Sequence, residues 1–432
     1  MTPDESALPD TLLLSGSDYF QLLLDRHHRR YGLQGNVGRF AVTVEGQLDI
    51  DQLKQALNGD PIFCWLHSLR LKKQWPLQLP EWIRIPSTHP ITIEKFEVSR
   101  KDDGILKALF ARDIQLRDDP PFQFDLIHGE HGHTTLLFTW SHLLMDAQGA
   151  EFLVRYLGDA LGDQPIQLFA SKNSPFALIE QLKQTQKTRD FIFFEKKSMP
   201  ISFLGESCSR QANSYHTLYF SEAETEQIAV HCKHAGARFG RSPFLLAACM
   251  HSFSDLLKRK GKTVTAIWVP VPHNNRKKGA FGPVVGNHLS YLFYRLFPQH
   301  LETLQRTVTV IQQQMINQMR KDIPASFSIM MDLLLRVPLW LYEKIVKSPT
   351  HGALASFFFS DTGKTLDDFN VFCGLPVSNA IHYPPNSSHP GFTIIFMDFQ
   401  QKLHAIIAYT ETTVSKEDIF WFESSLRKNL FG

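Results

Sequence analysis

The stretch TWSHLLMDAQGAEFLVRYL, residues 139–157, sets a histidine, His142, directly after a β-rich run and four residues ahead of an aspartate, Asp146. An imidazole titrates at about pH 6.5, so at neutral pH it can take up a proton and hand it on. That is general acid–base chemistry, in which an attacking group must lose its proton during attack. Taken only as spacing, His-x-x-x-Asp carries two readings. Asp146 stands where a helix N-cap belongs, and backbone hydrogen bonding explains it without any chemistry. A lone histidine is more often a structural residue with satisfied hydrogen bonds.

Other residues compete for attention. His128, His131 and His133 cluster around a Gly-Glu-His-Gly segment, residues 129–132. With no cysteine and only Glu130 beside them, an exposed hairpin turn is preferred to a metal site. His27-His28-Arg29-Arg30 reads as the basic end of a helix, favoured by the helix dipole. The loop HNNRKKG, His273 to Gly279, is either a solvated loop or a basic cradle for phosphates or an acidic partner. Gly286-Asn287 reads as a turn. Glycine-rich dinucleotide loops, phosphate-binding loops and nucleophile elbows are absent from the sequence, as are nucleic-acid modules.

Bulk properties bound the class. The 432 residues include 43% hydrophobic and 20% charged side chains at a net charge of +2. This is an ordinary globular balance that calls for neither nucleic acid nor an acidic surface. Five scattered cysteines, Cys64, Cys208, Cys232, Cys249 and Cys373, fit reduced thiols rather than a disulfide frame or a zinc site. The opening MTPDESALPD is acidic where a secretion signal would be basic, so a cytoplasmic location is expected. No apolar run reaches the ~18 residues of a membrane span. The greasiest segment, Phe327 to Val346, is interrupted by Asp332, Arg336 and Pro338. It reads as a core helix, with peripheral membrane contact as the alternative.

The elements that must position His142 follow from periodicity. A helix is expected over Asp18–Arg30, a strand over Gly38–Val44 and a helix over Gln52–Leu57. Two strands should flank the Gly-Glu-His-Gly turn, the second, Thr134 to Trp140, running straight into Ser141-His142. Residues 164–200 look loose and polar, the connection between two lobes divided at about 1–180 and 181–432. Beyond them come a strand at Ser214–Phe220, helices at Glu222–His234 and Pro243–Lys258, and strands at Thr263–Val271 and over NHLSYLFYRL. A short strand at Ala355–Ser360, two strands around Gln400 and a helix at Lys416–Leu430 complete an α/β chain with much antiparallel or mixed sheet.

Set in that order, SHLLMDA resembles the HHxxxDG signature of the CoA-dependent acyltransferase superfamily. The group includes chloramphenicol acetyltransferases, condensation domains, wax ester synthase/diacylglycerol acyltransferases and the plant BAHD enzymes. FDLIHGEHGHTTLLFTW is similar to the strands leading to that histidine, and RDIQLRDDPPF to the turn before them. SGSDYFQLLLDRHHRRYGLQGNVGRFAVTVEGQLDIDQL resembles the opening helix, strand and helix of wax ester synthases and condensation domains. LHSLRL resembles a Leu-Arg segment, which makes Arg70 a partner for Asp146. VTAIWVPVPHNNRKKGAFGPVVGNHLSYLFYRL resembles the second-lobe strands and Gly-Asn turn, and FFFSDTG the strand near the active-site tunnel. The similarity runs over about residues 12–430. Ser141 replaces the first histidine of the signature and Ala147 its glycine. DFNVFCGLP, Asp368 to Pro376, is a faint echo of the BAHD DFGWG motif, and Ser242-Pro243 replaces the wax ester synthase Asn-Asp pair.

The resemblance implies a two-lobed chloramphenicol-acetyltransferase-like α/β fold with a tunnel between the lobes. It implies acyl transfer from a thioester to an alcohol or amine, with His142 as general base and Asp146 in a structural role. Asn287 and Ser360 become substrate-binding candidates, Ser360 as a donor to the oxyanion. No resident cofactor or metal is implied. The co-substrate is acyl-CoA or a phosphopantetheine thioester, and an acyl or peptidyl carrier protein is the partner in the second case. The competing reading, suggested by Ser141 and Ala147, is a condensation-like scaffold without catalysis.

Overall fold

In the computed structural model, residues 8–73, 78–86, 89–98, 103–129, 132–159, 166–170, 178–193, 200–202, 213–277, 279–348, 353–386 and 390–432 are described. Cys208, Glu130 and His131 lie outside them.

The first lobe is built on a six-stranded sheet. Its order is Val371–Phe372, Leu375–Tyr383, Val37–Glu45, His133–Ser141, Phe122–His128 and Ile93–Glu97. Only the last pair runs parallel. The strand Val37–Glu45 is buried over its first six residues, Arg39 included, so burial does not alternate along it. Its register sets Phe40 between Phe138 and His382, and Val37 opposite Ser141. The end of the motif strand is thereby fixed from its neighbour.

The second lobe carries a four-stranded sheet in the order Phe358–Asp361, Phe392–Phe399, Lys402–Thr410 and Asn213–Tyr219. The hairpin after Phe399 turns through Gln400 and Gln401, both at positive φ. The helix Ser242–Arg259, apolar on most of its surface, lies in the core beside this sheet, with Phe244, Leu245, Met250 and Phe253 fully enclosed. A separate antiparallel pair, Ile267–Asn274 with Leu289–Leu296, projects toward the first lobe.

The architecture is the two-lobed α/β one, with differences in detail. The loose stretch 164–200 contains a helix, Leu178–Phe193. Its polar Lys/Gln-rich sequence lacks a strong apolar stripe, which is why periodicity misses it. Phe327–Val346 is not one helix but parts of two, Ile323–Leu334 and Leu339–Lys347. Pro338 starts the second, because a proline cannot continue the first. The second helix is not a core helix throughout, since Trp340, Leu341 and Ile345 are exposed. The strand expected at Thr263–Val271 begins only at Ile267 and runs on to Asn274. Strands from residues 371–383 return to the first-lobe sheet, so no single chain position separates the lobes.

Candidate active site

The motif strand delivers Ser141 and His142 to its end, and two backbone bonds hold them there. The Ser141 N–H donates to the Pro121 carbonyl and the His142 N–H to that of Asn36, both at 2.8 Å. Ser141 is buried, and its Oγ accepts from the Leu143 N–H at 3.2 Å. The serine that replaces the signature's first histidine thus holds the tight turn after His142.

Asp146 caps the helix Ala147–Leu157, with Oδ1 accepting from the Gly149 N–H at 2.9 Å. The helix start is pressed against the second lobe: a Cβ at Gly149 would lie 2.3 Å from the Val284 carbonyl oxygen. Asp146 also forms a two-pronged ion pair with Arg276, Nη1 to Oδ2 and Nη2 to Oδ1, both 2.8 Å. The two side chains are 2% and 1% exposed. The His288 N–H donates to Oδ2 at 3.0 Å. Burial alone would raise the Asp146 carboxyl, but Arg276 and these N–H donors hold it below the usual carboxylate range.

This corrects the assignment of Arg70. Its guanidinium donates to the carbonyls of His67, Leu69 and Asp118 and has no contact with Asp146. The arginine that serves comes from the loop HNNRKKG, whose Arg276 is neither solvated nor free for phosphate. The capping geometry of Asp146 is as the sequence suggested.

Asn287 reaches His142 itself. Its side-chain nitrogen donates to Asp18 Oδ1 at 3.0 Å and to the His142 carbonyl at 2.8 Å. Its Oδ1 therefore faces His142 Nδ1, at 3.0 Å, and accepts from it. That fixes the proton of the neutral ring on Nδ1 and leaves Nε2 with a free lone pair. Burial lowers the His142 pKa from its ordinary value, with the Asp146 charge pulling the other way, so the ring is neutral at pH 7.

Asp18 anchors the arrangement. Its Oδ2 completes the capping box with Ser15 at the start of the helix Gly16–Arg30, while Oδ1 holds the Asn287 amide and N–H. In sequence Asp18 is only the start of an expected helix, because its bond to Asn287 spans 269 positions. Asn36, bonded to Gln21, and His28 extend the polar patch. His28 belongs to no exposed basic end: it is buried, and burial pushes its pKa down to about 3.

His142 opens on a cavity of about 560 Å³ between the lobes. Asp146, Ala147 and Ser360 share its wall, and Asn287 stands behind His142. Ser360 is half-buried, on the strand Phe358–Asp361. One stretch of the second-lobe wall is apolar, formed by Trp268, Phe293, Phe327, Met330 and Leu334 with Tyr342, while Arg189, Ser360 and Asp361 add polar groups to it. Sequence reasoning also missed Glu151 and His382 on the opposite wall, the latter from the strand that returns to the first lobe. Among the described residues, no group of three or more His, Cys, Asp or Glu side chains is arranged for a metal ion.

No family model and no curated protein matches the chain. Solved structures match over nearly its whole length. The first condensation domain of the calcium-dependent antibiotic synthetase, in complex with a substrate analogue, superposes with a TM-score of 0.70 at 14% identity, covering 98% of this chain and 95% of that one. The chain has the condensation-domain fold. The same condensation-domain architecture recurs in SgcC5 from Streptomyces globisporus, with a TM-score of 0.64 at 14% identity and coverage of 97% and 98%. The epimerization domain of tyrocidine synthetase B gives 0.62 at 15% identity, covering 98% and 97%. Condensation and epimerization domains thus share the fold, so the fold alone does not name a reaction. Among the described residues, no helix is long and apolar enough to cross a membrane.

Proposed function

We propose that this protein transfers an acyl group from a thioester, carried by CoA or by the phosphopantetheine of a carrier protein, to an alcohol or amine. The observation that carries the reading is the orientation of His142. Asn287 engages Nδ1, and the lone pair of Nε2 is left for the cavity. In this reading Nε2 takes the nucleophile's proton as the oxygen or nitrogen attacks the thioester carbon. The carbonyl electrons move onto oxygen, with the Ser360 hydroxyl as donor to that oxyanion. Collapse of the tetrahedral intermediate breaks the carbon–sulfur bond, and the proton passes from Nε2 to the leaving thiolate. No covalent acyl-enzyme is needed, because both substrates meet in one cavity. The apolar stretch of the second-lobe wall fits a hydrocarbon or aromatic acyl group.

Thiol release from acyl-CoA and from an acyl-pantetheine carrier, with and without alcohol and amine acceptors, tests the reading. Wild-type protein should release thiol in an acceptor-dependent way. His142→Ala should lose about 10²–10⁴-fold while unfolding as wild type does. An unchanged rate in that variant rejects the base. Absence of release with every donor and acceptor favours the scaffold reading instead.

A further inference from the structure

The wall opposite the apolar stretch holds a carboxylate that the proposed chemistry does not use. Glu151 lies on the motif helix Ala147–Leu157, its side chain 2% exposed, and it lines the same cavity as His142. Its Oε1 is occupied twice, by His382 Nε2 at 2.8 Å and by the Thr365 hydroxyl at 3.1 Å. Its Oε2 accepts no hydrogen bond among the described residues, yet it is not among the sealed polar atoms that lack partners. His382 stacks on Phe40 at 4.3 Å, and its Nδ1 is sealed without a partner. The histidine therefore gives up one ring nitrogen while holding Oε1, which orients the carboxylate. A buried carboxylate oxygen without a donor is costly unless something fills the place.

We infer that Glu151 Oε2 binds a hydrogen-bond donor on the acceptor substrate, an ammonium or hydroxyl other than the one that reacts. His382 and Thr365 are positioning residues for that carboxylate. The inference rests on the acyl-transfer reading and names its acceptor class. His142 and Glu151 line the same cavity, so one bifunctional acceptor can meet both. The apolar stretch around Trp268, Phe293 and Phe327 then takes the acyl group, and the side that carries His142 and Glu151 takes a bifunctional acceptor.

Equilibrium binding of 1,3-diaminopropane, ethanolamine and propylamine to the full-length protein, followed by calorimetry, tests this without any turnover. The two bifunctional probes should bind about tenfold or more tightly than propylamine, as expected for a hydrogen bond to a charged group. Glu151→Gln should erase that preference. Should Glu151→Gln fail to fold, Thr365→Val, which removes one of the bonds to Oε1, should reduce the preference part-way. Equal binding of all three probes, no binding of any, or a preference that survives these substitutions overturns the inference. A selective loss of affinity for acetyl-CoA in Glu151→Gln also overturns it, because the carboxylate would then face the pantetheine. Because binding is read directly, this result and the thiol-release result fail separately.

Discussion

At the scale of single residues, His142 depends on a second side chain for its proton inventory. The Asn287 carbonyl oxygen accepts from Nδ1, so the ring presents Nε2 without a competing tautomer. The pH profile of acyl transfer follows from the lowered pKa. Only the neutral ring accepts a proton, so the rate should rise as pH rises, with a midpoint below the ordinary 6.5 of histidine, and level off above it. The Asn287 contact favours the charged ring, so Asn287→Ala should move that midpoint further down and lower the plateau rate. Steady-state rates between pH 4.5 and 8, both figures about the limits of a convenient histidine titration, check both statements; an unmoved midpoint would show that Asn287 serves packing alone. Ser141 is legible at this scale only in part. Its departure from the double-histidine signature is visible in the sequence, whereas its buried hydrogen bond to the turn is not. Replacing it by histidine would force a larger ring into a site only 2% exposed.

At the scale of elements, two loops make the site. The turn 141–146 comes from the first lobe, and the segment 276–288 comes from the second. They are joined by the Asp146–Arg276 pair, by the Gly286 N–H bonding to the Leu144 carbonyl, and by the His288 N–H on Asp146. Removing one partner of a buried ion pair leaves the other charged and desolvated. Arg276→Ala should therefore cost about 3–5 kcal/mol of stability, read from chemical denaturation. Arg70→Ala should not produce such a loss through Asp146, since Arg70 binds backbone carbonyls elsewhere. Many of the strands and helices were legible, though the returning strand Leu375–Tyr383 was not. The helix Glu222–His234 starts where Ser221 and Glu224 form a capping box. The helix Leu178–Phe193 was not, because its polar composition has no stripe to read.

At the scale of the whole molecule, the first lobe is closed by chain from the far end of the sequence. Leu375–Tyr383 pairs along the strand Val37–Glu45, and Phe369, Phe372, Ala380 and Ile381 fill the same core as Phe40 and Phe138. A fragment of residues 1–180 would leave that central strand as an open apolar edge. Such edges template association. The fragment should expose apolar surface and aggregate, whereas the full chain should not; light scattering and dye binding on the two proteins check this. A fragment that unfolds cooperatively as a monomer would show that the returning strand is dispensable.

The sequence by itself determined the strand-to-histidine junction, the Asp146 cap, the mixed α/β class and the ordered similarity to acyltransferases. These rest on local rules: side-chain alternation, capping and turn chemistry act within a few residues. Its likeness to condensation domains in fold is matched by the superposition over 98% of the chain. Tertiary structure alone decided which arginine meets Asp146, that Asn287 orients His142 with Asp18 behind it, and that Glu151 and His382 face the same cavity. Arg276 lies 130 positions from Asp146, and His382 lies 231 from Glu151. No periodicity spans such distances. Two lobes packing against each other must choose which charges to enclose together, and an enclosed charge without its partner is too costly to persist.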